Sequence, residues 1–213
     1  MTIVTYAQLQ TSIADYLNRS DISATTVRDF ITLAESKINR SARLRDQETT
    51  TVITMTTTGA FNSLPSGFID IIDAYYNSDD VRLVQVSADK LGAVRSGTSS
   101  GQPRYFTISN RLDYEVTPAV AYTWTLKYWK KWDLATNTVT TQLLIDHPGA
   151  YLYAALAEAE AWLKNDPRIV TWKAMANEAL QEIEDMSSRP KGRAELTVDP
   201  RLLNVGYTDI NNG

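Results

Sequence analysis

With 213 residues, 43% of them apolar and 22% charged, the chain has room for one sizeable core, or for a helical domain carrying a compact β insertion, but not for two large domains. A formal charge of −4 argues against the whole chain gripping nucleic acid, which depends on basic groups neutralising phosphates, although an acidic wall would suit nucleic acid sliding past. The lack of cysteine excludes disulfides, a thiolate nucleophile and Cys-based metal sites; neither the apolar core of a signal peptide over Met1–Tyr16 nor a run near the roughly 20 apolar residues of a membrane helix is seen, so a soluble chain is expected.

The first element follows Thr5. Tyr6, Leu9, Ile13, Tyr16 and Leu17 recur at three- and four-residue spacing, the stripe of a half-buried helix that stops near Asn18-Arg19-Ser20. Ser23, Thr25 or Thr26 can cap a second helix, in which Val27, Phe30, Ile31, Ala34 and Ile38 repeat the spacing up to about Arg43. So short a link predicts an antiparallel hairpin.

From Gln47 the period changes. Thr49–Thr58 is rich in β-branched residues, and Phe61–Leu64 resumes before a turn at Pro65-Ser66-Gly67. Phe68–Tyr76 is nearly continuous apolar chain, consistent with a buried strand or a short helix, and Asp79-Asp80 ends it. Arg95–Pro103 has no residue able to anchor a core and reads as a mobile loop. Phe106 and Ile108 lead through Ser109-Asn110 into Arg111–Val116, where Leu112, Tyr114 and Val116 alternate with Arg111, Asp113 and Glu115. After Pro118 the alternation continues through Tyr122, Trp124, Leu126 and Tyr128, which predicts a three-strand meander with one charged face.

Helix returns with Asp146 as the expected cap and Pro148 in the first turn. Leu152, Ala155, Leu156, Ala159, Trp162 and Leu163 form its stripe up to Asn165-Asp166-Pro167. Asp166 then caps a fourth helix that buries Ile169, Trp172, Ala176, Ala179, Leu180 and Ile183. Each hairpin is too small to stand alone, so the first pair should pack on the last. The expected fold is α+β: an antiparallel helical bundle of two N-terminal and two C-terminal helices (1–46 and 146–186), an inserted antiparallel β domain (47–145) and an extended C-terminal arm (187–213).

Few residues suggest chemistry. His147 is the only histidine and has no legible Ser and acid partners, so it reads as a residue at a helix start. Glu158 with Glu160, or Asp70 with Asp73, are the available carboxylate pairs for a glycosidase, but sequence spacing does not set the separation that reaction needs. No glycine-rich phosphate loop occurs, so no cofactor is expected. Tyr122, Trp124, Tyr128, Trp129 and Trp132 interleave with Lys127, Lys130 and Lys131, which admits a carbohydrate- or nucleic-acid-binding module. The even-numbered rings share one face of a strand and suit a core, whereas Trp129 lies opposite with the lysines. The tail places Arg189, Lys191 and Arg193 before Leu196, Val198, Leu202, Leu203 and Val205, with Pro190 and Pro200 preventing a long helix; such an arm suits ordering on a partner, at a sheet edge or in a groove.

Thr5-Tyr6-Ala7-Gln8-Leu9, the break at Tyr16–Asp21, and Phe30–Arg40 followed by Arg43 and Arg45 resemble the N-terminal region of head-to-tail adaptor proteins of tailed bacteriophages. Leu64-Pro65-Ser66-Gly67-Phe68 and His147-Pro148 before an Ala- and Glu-rich helix are similar to the same group. The resemblance implies a non-enzymatic virion protein that forms a ring, usually of about twelve copies, by heterologous contacts that close. It would sit beneath the portal protein and above the tail nozzle or tail tube, with DNA passing through without specific binding and no membrane involved. It further implies that the arm, Arg189 through Val205, grips the portal or a neighbouring copy. Trp129, Arg40 and Arg43 are the expected interface residues.

Overall fold

The computed structural model describes residues 2–19, 21–41, 43–78, 81–95, 100–163 and 167–188, the side chains of residues 160 and 161 excepted. The fold is α+β. Helix α1 spans Tyr6–Leu17 and is closed by a capping box: the Thr5 hydroxyl accepts from Gln8 N, while the Gln8 side chain accepts from Thr5 N at 3.1 Å. It ends at Asn18, whose left-handed backbone (φ 52°) turns its N–H back to Asp15 O. Helix α2 spans Ala24–Ser41, and Ser23 is its cap, accepting from Thr26 N at 3.1 Å. The predicted stripes of both helices are buried except for Tyr16, which is 47% exposed; Leu9, Ile13 and Ile31 are sealed completely, and each contributes about 1.5–3 kcal/mol on leaving water.

A short 3-10 turn, Arg45–Gln47, leads into β1 (Glu48–Thr54), followed by β2 (Phe61–Ser63) and β3 (Phe68–Tyr76), so the ambiguous apolar run is a strand. The turn before it forms as predicted: Phe68 N donates to Pro65 O at 3.2 Å, and Gly67 takes φ +73°, a region other L residues rarely enter. The chain continues through β4 (Val84–Gln85), α3 (Ala88–Val94), β5 (Ser100–Gly101), β6 (Tyr105–Ile108), β7 (Arg111–Tyr114), β8 (Thr117–Pro118) and β9 (Thr123–Lys130). It closes with α4 (Leu134–Asn137), α5 (Gln142–Asp146), α6 (Pro148–Glu158), α7 (Glu160–Leu163) and α8 (Arg168–Ser188).

The expected meander does not form. β6 and β7 make the predicted hairpin within a mixed sheet of order β2-β7-β6-β4, but β9 inserts between β1 and β3 in a separate sheet of order β1-β9-β3. The physical gain is twofold: β9 finds backbone partners on both sides, and its apolar face meets the other sheet. Trp124 packs against Phe106 and Tyr114 at ring separations of 5.8 and 6.3 Å, and these residues, with Leu126, Tyr128, Ala74 and Tyr76, form the core between the two sheets. Glu115, expected on the charged face, is instead buried, because the strand ends at Tyr114 and the carboxylate takes the N–H groups of Arg104 and Tyr105 at 2.6 and 2.9 Å. The two ends of the Arg95–Pro103 segment are better anchored than its composition suggests, while residues 96–99 lie outside the described residues. Tyr76 Oη donates to Pro103 O at 2.6 Å, Arg95 reaches Tyr114 O at 3.0 Å, and β5 pairs with β8.

Helix α6 is the centre of the second core. It is apolar on almost every side, and α1, α2, α5 and α8 all pack on it. Trp132, Leu134, Leu143 and Leu144, which follow β9, join this core. Asp146 does not cap α6: it closes α5, accepting from Gln142 Nε2 at 2.7 Å, and His147 occupies the capping position. The predicted third helix is broken at Ala159, where the amide turns to Leu156 O, and Trp162 consequently lies 36% exposed beneath the Arg19 guanidinium rather than in the stripe. Helix α8 buries Ile169, Trp172, Ala176 and Ile183 as expected but leaves Ala179 and Leu180 half-buried; its predicted cap Asp166, like Asp79 and Asp80, lies outside the described residues.

One side chain ties the exit of β9 to the helical core. Asn39 Nδ2 donates to Trp132 O at 3.0 Å, and Asn39 Oδ1 accepts from Trp132 N at 2.8 Å, so α2 pairs with the exit of β9 much as a strand would. Asn39→Ala leaves both backbone groups without that partner and is expected to lower stability by about 1–3 kcal/mol in urea unfolding, with an unchanged m-value.

Candidate assembly surface

The register of the β1-β9-β3 sheet sorts its residues by face. Thr51, Leu126 and Ala74 lie opposite one another toward the core, as do Ile53, Trp124 and Tyr76. The outer face carries Glu48, Trp129 and Asp70 in one row, Thr50, Lys127 and Asp73 in the next, and Val52, Thr125 and Tyr75 beyond. Trp129 is therefore half-buried on the outer face, as its odd position predicted. Lys127 is paired with Glu48 at 2.7 Å. Trp124, Tyr128 and Trp132 are buried and Tyr122 packs on the sheet core, which leaves Trp129 as the one ring of the predicted aromatic set on that face. A stacking platform needs several rings on one surface.

The same sheet has two unlike edges. Met55 N donates to Tyr122 O at 2.8 Å, so by alternation the N–H and C=O groups of Thr50 and Val52 point away from β9. Thr54 O, on the same side, accepts from Asn62 Nδ2 at 3.0 Å. Among the described residues no strand pairs with this edge of β1. The far edge, β3, carries register shifts between Phe68 and Asp70 and between Ile71 and Asp73, and Tyr75 is bridged to Arg82.

A groove of about 510 Å³ lies between α2, α6 and α8, with Ile38, Ala157 and Leu180 along its walls and Arg40 and Lys173 among its polar lining. Lys37 and Glu158 form an ion pair across it. Arg43, exposed at the end of α2, donates to Asn39 O at 3.0 Å. Arg40 thus lines a groove between helices, while Trp129 lies on a sheet face. The arm residues Arg189, Lys191, Arg193, Leu196, Val198, Leu202, Leu203 and Val205 lie outside the described residues.

Three of the carboxylates read as candidate acid-base pairs have other roles, and the side chain of the fourth, Glu160, lies outside the described residues. Glu158 is held by Lys37; Asp70 and Asp73 each accept from the next residue's backbone N–H, at 2.8 and 2.9 Å, beside the irregularities of β3. His147 joins α5 to α6, its N–H bonded to Leu143 O and its carbonyl to Ala150 N. Among the described residues no three acidic or imidazole side chains gather closely enough to hold a metal, and no helix is long and apolar enough to cross a membrane.

The buried carboxylate at the centre of the helical core escaped the sequence reading. Glu35 is only 6% exposed, and its carboxylate accepts from Tyr151 Oη at 2.7 Å, Leu134 N at 2.7 Å and Ala135 N at 3.1 Å. Burial first, and the adjacent Glu35 carboxylate second, push the Tyr151 phenol well above its usual range. The available signal was phase: Glu35 lies four residues after Ile31 and Asn39 four after Glu35, on the buried stripe of α2.

No curated protein matches this sequence. The profile of the family described as SU10 adaptor protein, however, matches residues 4–199, which spans both cores and extends into the arm. The chain belongs to the SU10 adaptor protein family, in keeping with its resemblance to phage head-to-tail adaptors.

Proposed function

We propose that this protein is the head-to-tail adaptor of a tailed bacteriophage, a structural component that forms a closed ring between the portal protein and the tail nozzle or tail tube. The observation that carries this reading is the family match over residues 4–199. In this reading about twelve copies assemble in the host cytoplasm by heterologous contacts, and the ring wall forms part of the channel through which the genome leaves the virion. The net charge of −4 suits a wall that DNA passes without phosphate contacts. The helices of 1–46 and 146–186 form the ring body, 47–145 is an insertion that shapes its rim, and 187–213 is the partner-binding arm. Support for the ring body comes from α6, on which helices from both ends of the chain pack.

The test is the mass of the purified full-length chain by light scattering, alone and mixed with the portal ring of the same phage. A multi-subunit complex with portal is expected; a monomer indifferent to portal overturns the adaptor reading. Trp129→Ala adds a second arm. Its ring lies half-buried on the outer sheet face, so the variant is expected to keep its thermal midpoint within a few degrees while weakening ring assembly by about 1–3 kcal/mol per contact. If the same variant instead lost a carbohydrate or single-stranded nucleic acid ligand, the binding-module reading would replace this one.

A further inference from the structure

The outer edge of β1 lacks the devices that keep strand edges from pairing. β1 runs seven residues in unbroken register with β9, holds no proline, lysine or bulge, and carries Val52 at 60% exposure. The opposite edge of the same sheet is guarded by bulges and charge. β3 shifts register twice, presents Asp70 and Asp73, and is bridged to Arg82. A long, unbroken, β-branched edge beside a guarded one is a template for another strand. Burial points the same way: Thr49, Thr51 and Ile53 face the core between the sheets yet are only half-buried, because the core stops at β1.

Residues 194–199, Ala-Glu-Leu-Thr-Val-Asp, have the pattern such an edge would take. Leu196 and Val198 fall on one side of an extended chain and Glu195, Thr197 and Asp199 on the other, with Pro190 and Pro200 bracketing the stretch. We infer that residues 194–199 of one copy add as an antiparallel strand to the β1 edge of a neighbouring copy, an inference that rests on the ring reading above. Leu196 and Val198 then cover Thr51 together with Ile53 or Thr49, as Thr197 stands beside Val52 or Thr50 on the outer face.

The geometry favours a neighbour over self-pairing. Arg45 N donates to Ser187 Oγ at 2.6 Å, so α8 ends one 3-10 turn before β1 begins. From that point the chain's own arm would meet β1 at its Glu48 end and run parallel to it, whereas both neighbours in this sheet pair antiparallel. To arrive antiparallel, residue 194 must start near Thr54, about 23 Å further on at about 3.3 Å per residue. The six steps from Ser188 to residue 194 reach at most about 20–22 Å fully extended, with no residue left to reverse the direction of the chain. A second copy is under no such limit.

The chain contains no cysteine, so single substitutions give a clean cross-linking test. Full-length T50C or V52C protein is mixed with full-length T197C protein, assembled on the portal ring, oxidised, and resolved without reductant. The two β1 positions cover a register slip of two residues, and I72C, on the guarded β3 edge, is the control. The expected result is a disulfide-linked pair of copies at one or both β1 positions, several-fold above I72C. A ring whose β1 cysteines fail to link, or link no better than I72C, overturns this inference and leaves the ring reading intact. A link found only within single chains of a V52C/T197C double variant also overturns it, in favour of self-pairing. If no ring forms, the ring reading fails and this inference falls with it.

Discussion

Glu35→Ala is expected to lower the unfolding free energy by about 3–5 kcal/mol, the range for breaking a buried charged network from one side. The size follows from what the substitution leaves behind. Tyr151 Oη, Leu134 N and Ala135 N all donate to this carboxylate, and an alanine gives none of them an acceptor. Leu134 and Tyr151 are fully buried, so little water can replace it. Glu35→Gln keeps one acceptor oxygen but turns an amide N–H₂ toward donors, and about 1–3 kcal/mol is expected; Tyr151→Phe removes one donor and should cost about 1–2 kcal/mol. The double variant E35A/Y151F should lose less than the sum of its parts, because the phenol is no longer stranded. Urea unfolding monitored by tryptophan fluorescence reads all four, and additive losses would refute the network. The pH dependence has a definite sign. The Tyr151 phenol titrates higher folded than unfolded, so the stability it carries is complete below its unfolded value of about 10 and declines as pH rises beyond it.

The largest effect on assembly is expected in the arm. The L202A/L203A double variant should bind the portal ring with about 2–4 kcal/mol less free energy, a loss of roughly 30- to 1000-fold in affinity. Two adjacent leucines flanked by Pro200 and Val205 supply more apolar surface than a solvated terminus requires, and each is worth about 1.5–3 kcal/mol if fully buried on a partner. The ordering of the arm offsets part of that gain, by about 2–5 kcal/mol for a segment that folds on binding. Affinity should therefore depend steeply on the few side chains that anchor it. In the arm reading both residues become ordered only on the partner, so the thermal midpoint should not move. Unchanged portal affinity in the double variant, or in a chain ending at Ser188, would remove the arm from the interface.

Much of this architecture was legible because local signals and burial agree. Thr5 and Gln8 announce the start of α1, Gly67 its turn, and the stripes of α1, α2 and α8 their buried faces. The strands were legible singly but their partners were not. Alternation in Trp124, Leu126 and Tyr128 says that one face is covered, not which strands flank β9 or which sheet covers it. Short helices such as α4 and α5 were missed because they are fixed by tertiary bonds rather than by period. Leu134 N and Ala135 N end on Glu35, and Thr141 caps α5 over a single turn. Buried and half-buried polar groups were hardest of all. Glu35, Asn39 and Glu115 look like solvated charge or amide in a sequence, and only the folded chain gives them backbone partners distant in sequence or across a strand turn.

Asn39 touches both ends of the long β excursion: Trp132 at its exit, and at its entry Gln47, whose side-chain amide lies 3.4 Å from Asn39 Oδ1. Entry and exit are therefore already side by side on the helical core. Closing a loop whose ends are held together depends only weakly on its length, about 0.6 kcal/mol for each doubling. The excursion is thus an exchangeable cassette: it can shrink, grow or be traded between chains without reshaping the helices, provided that the amide at position 39 and the backbone it grips are kept.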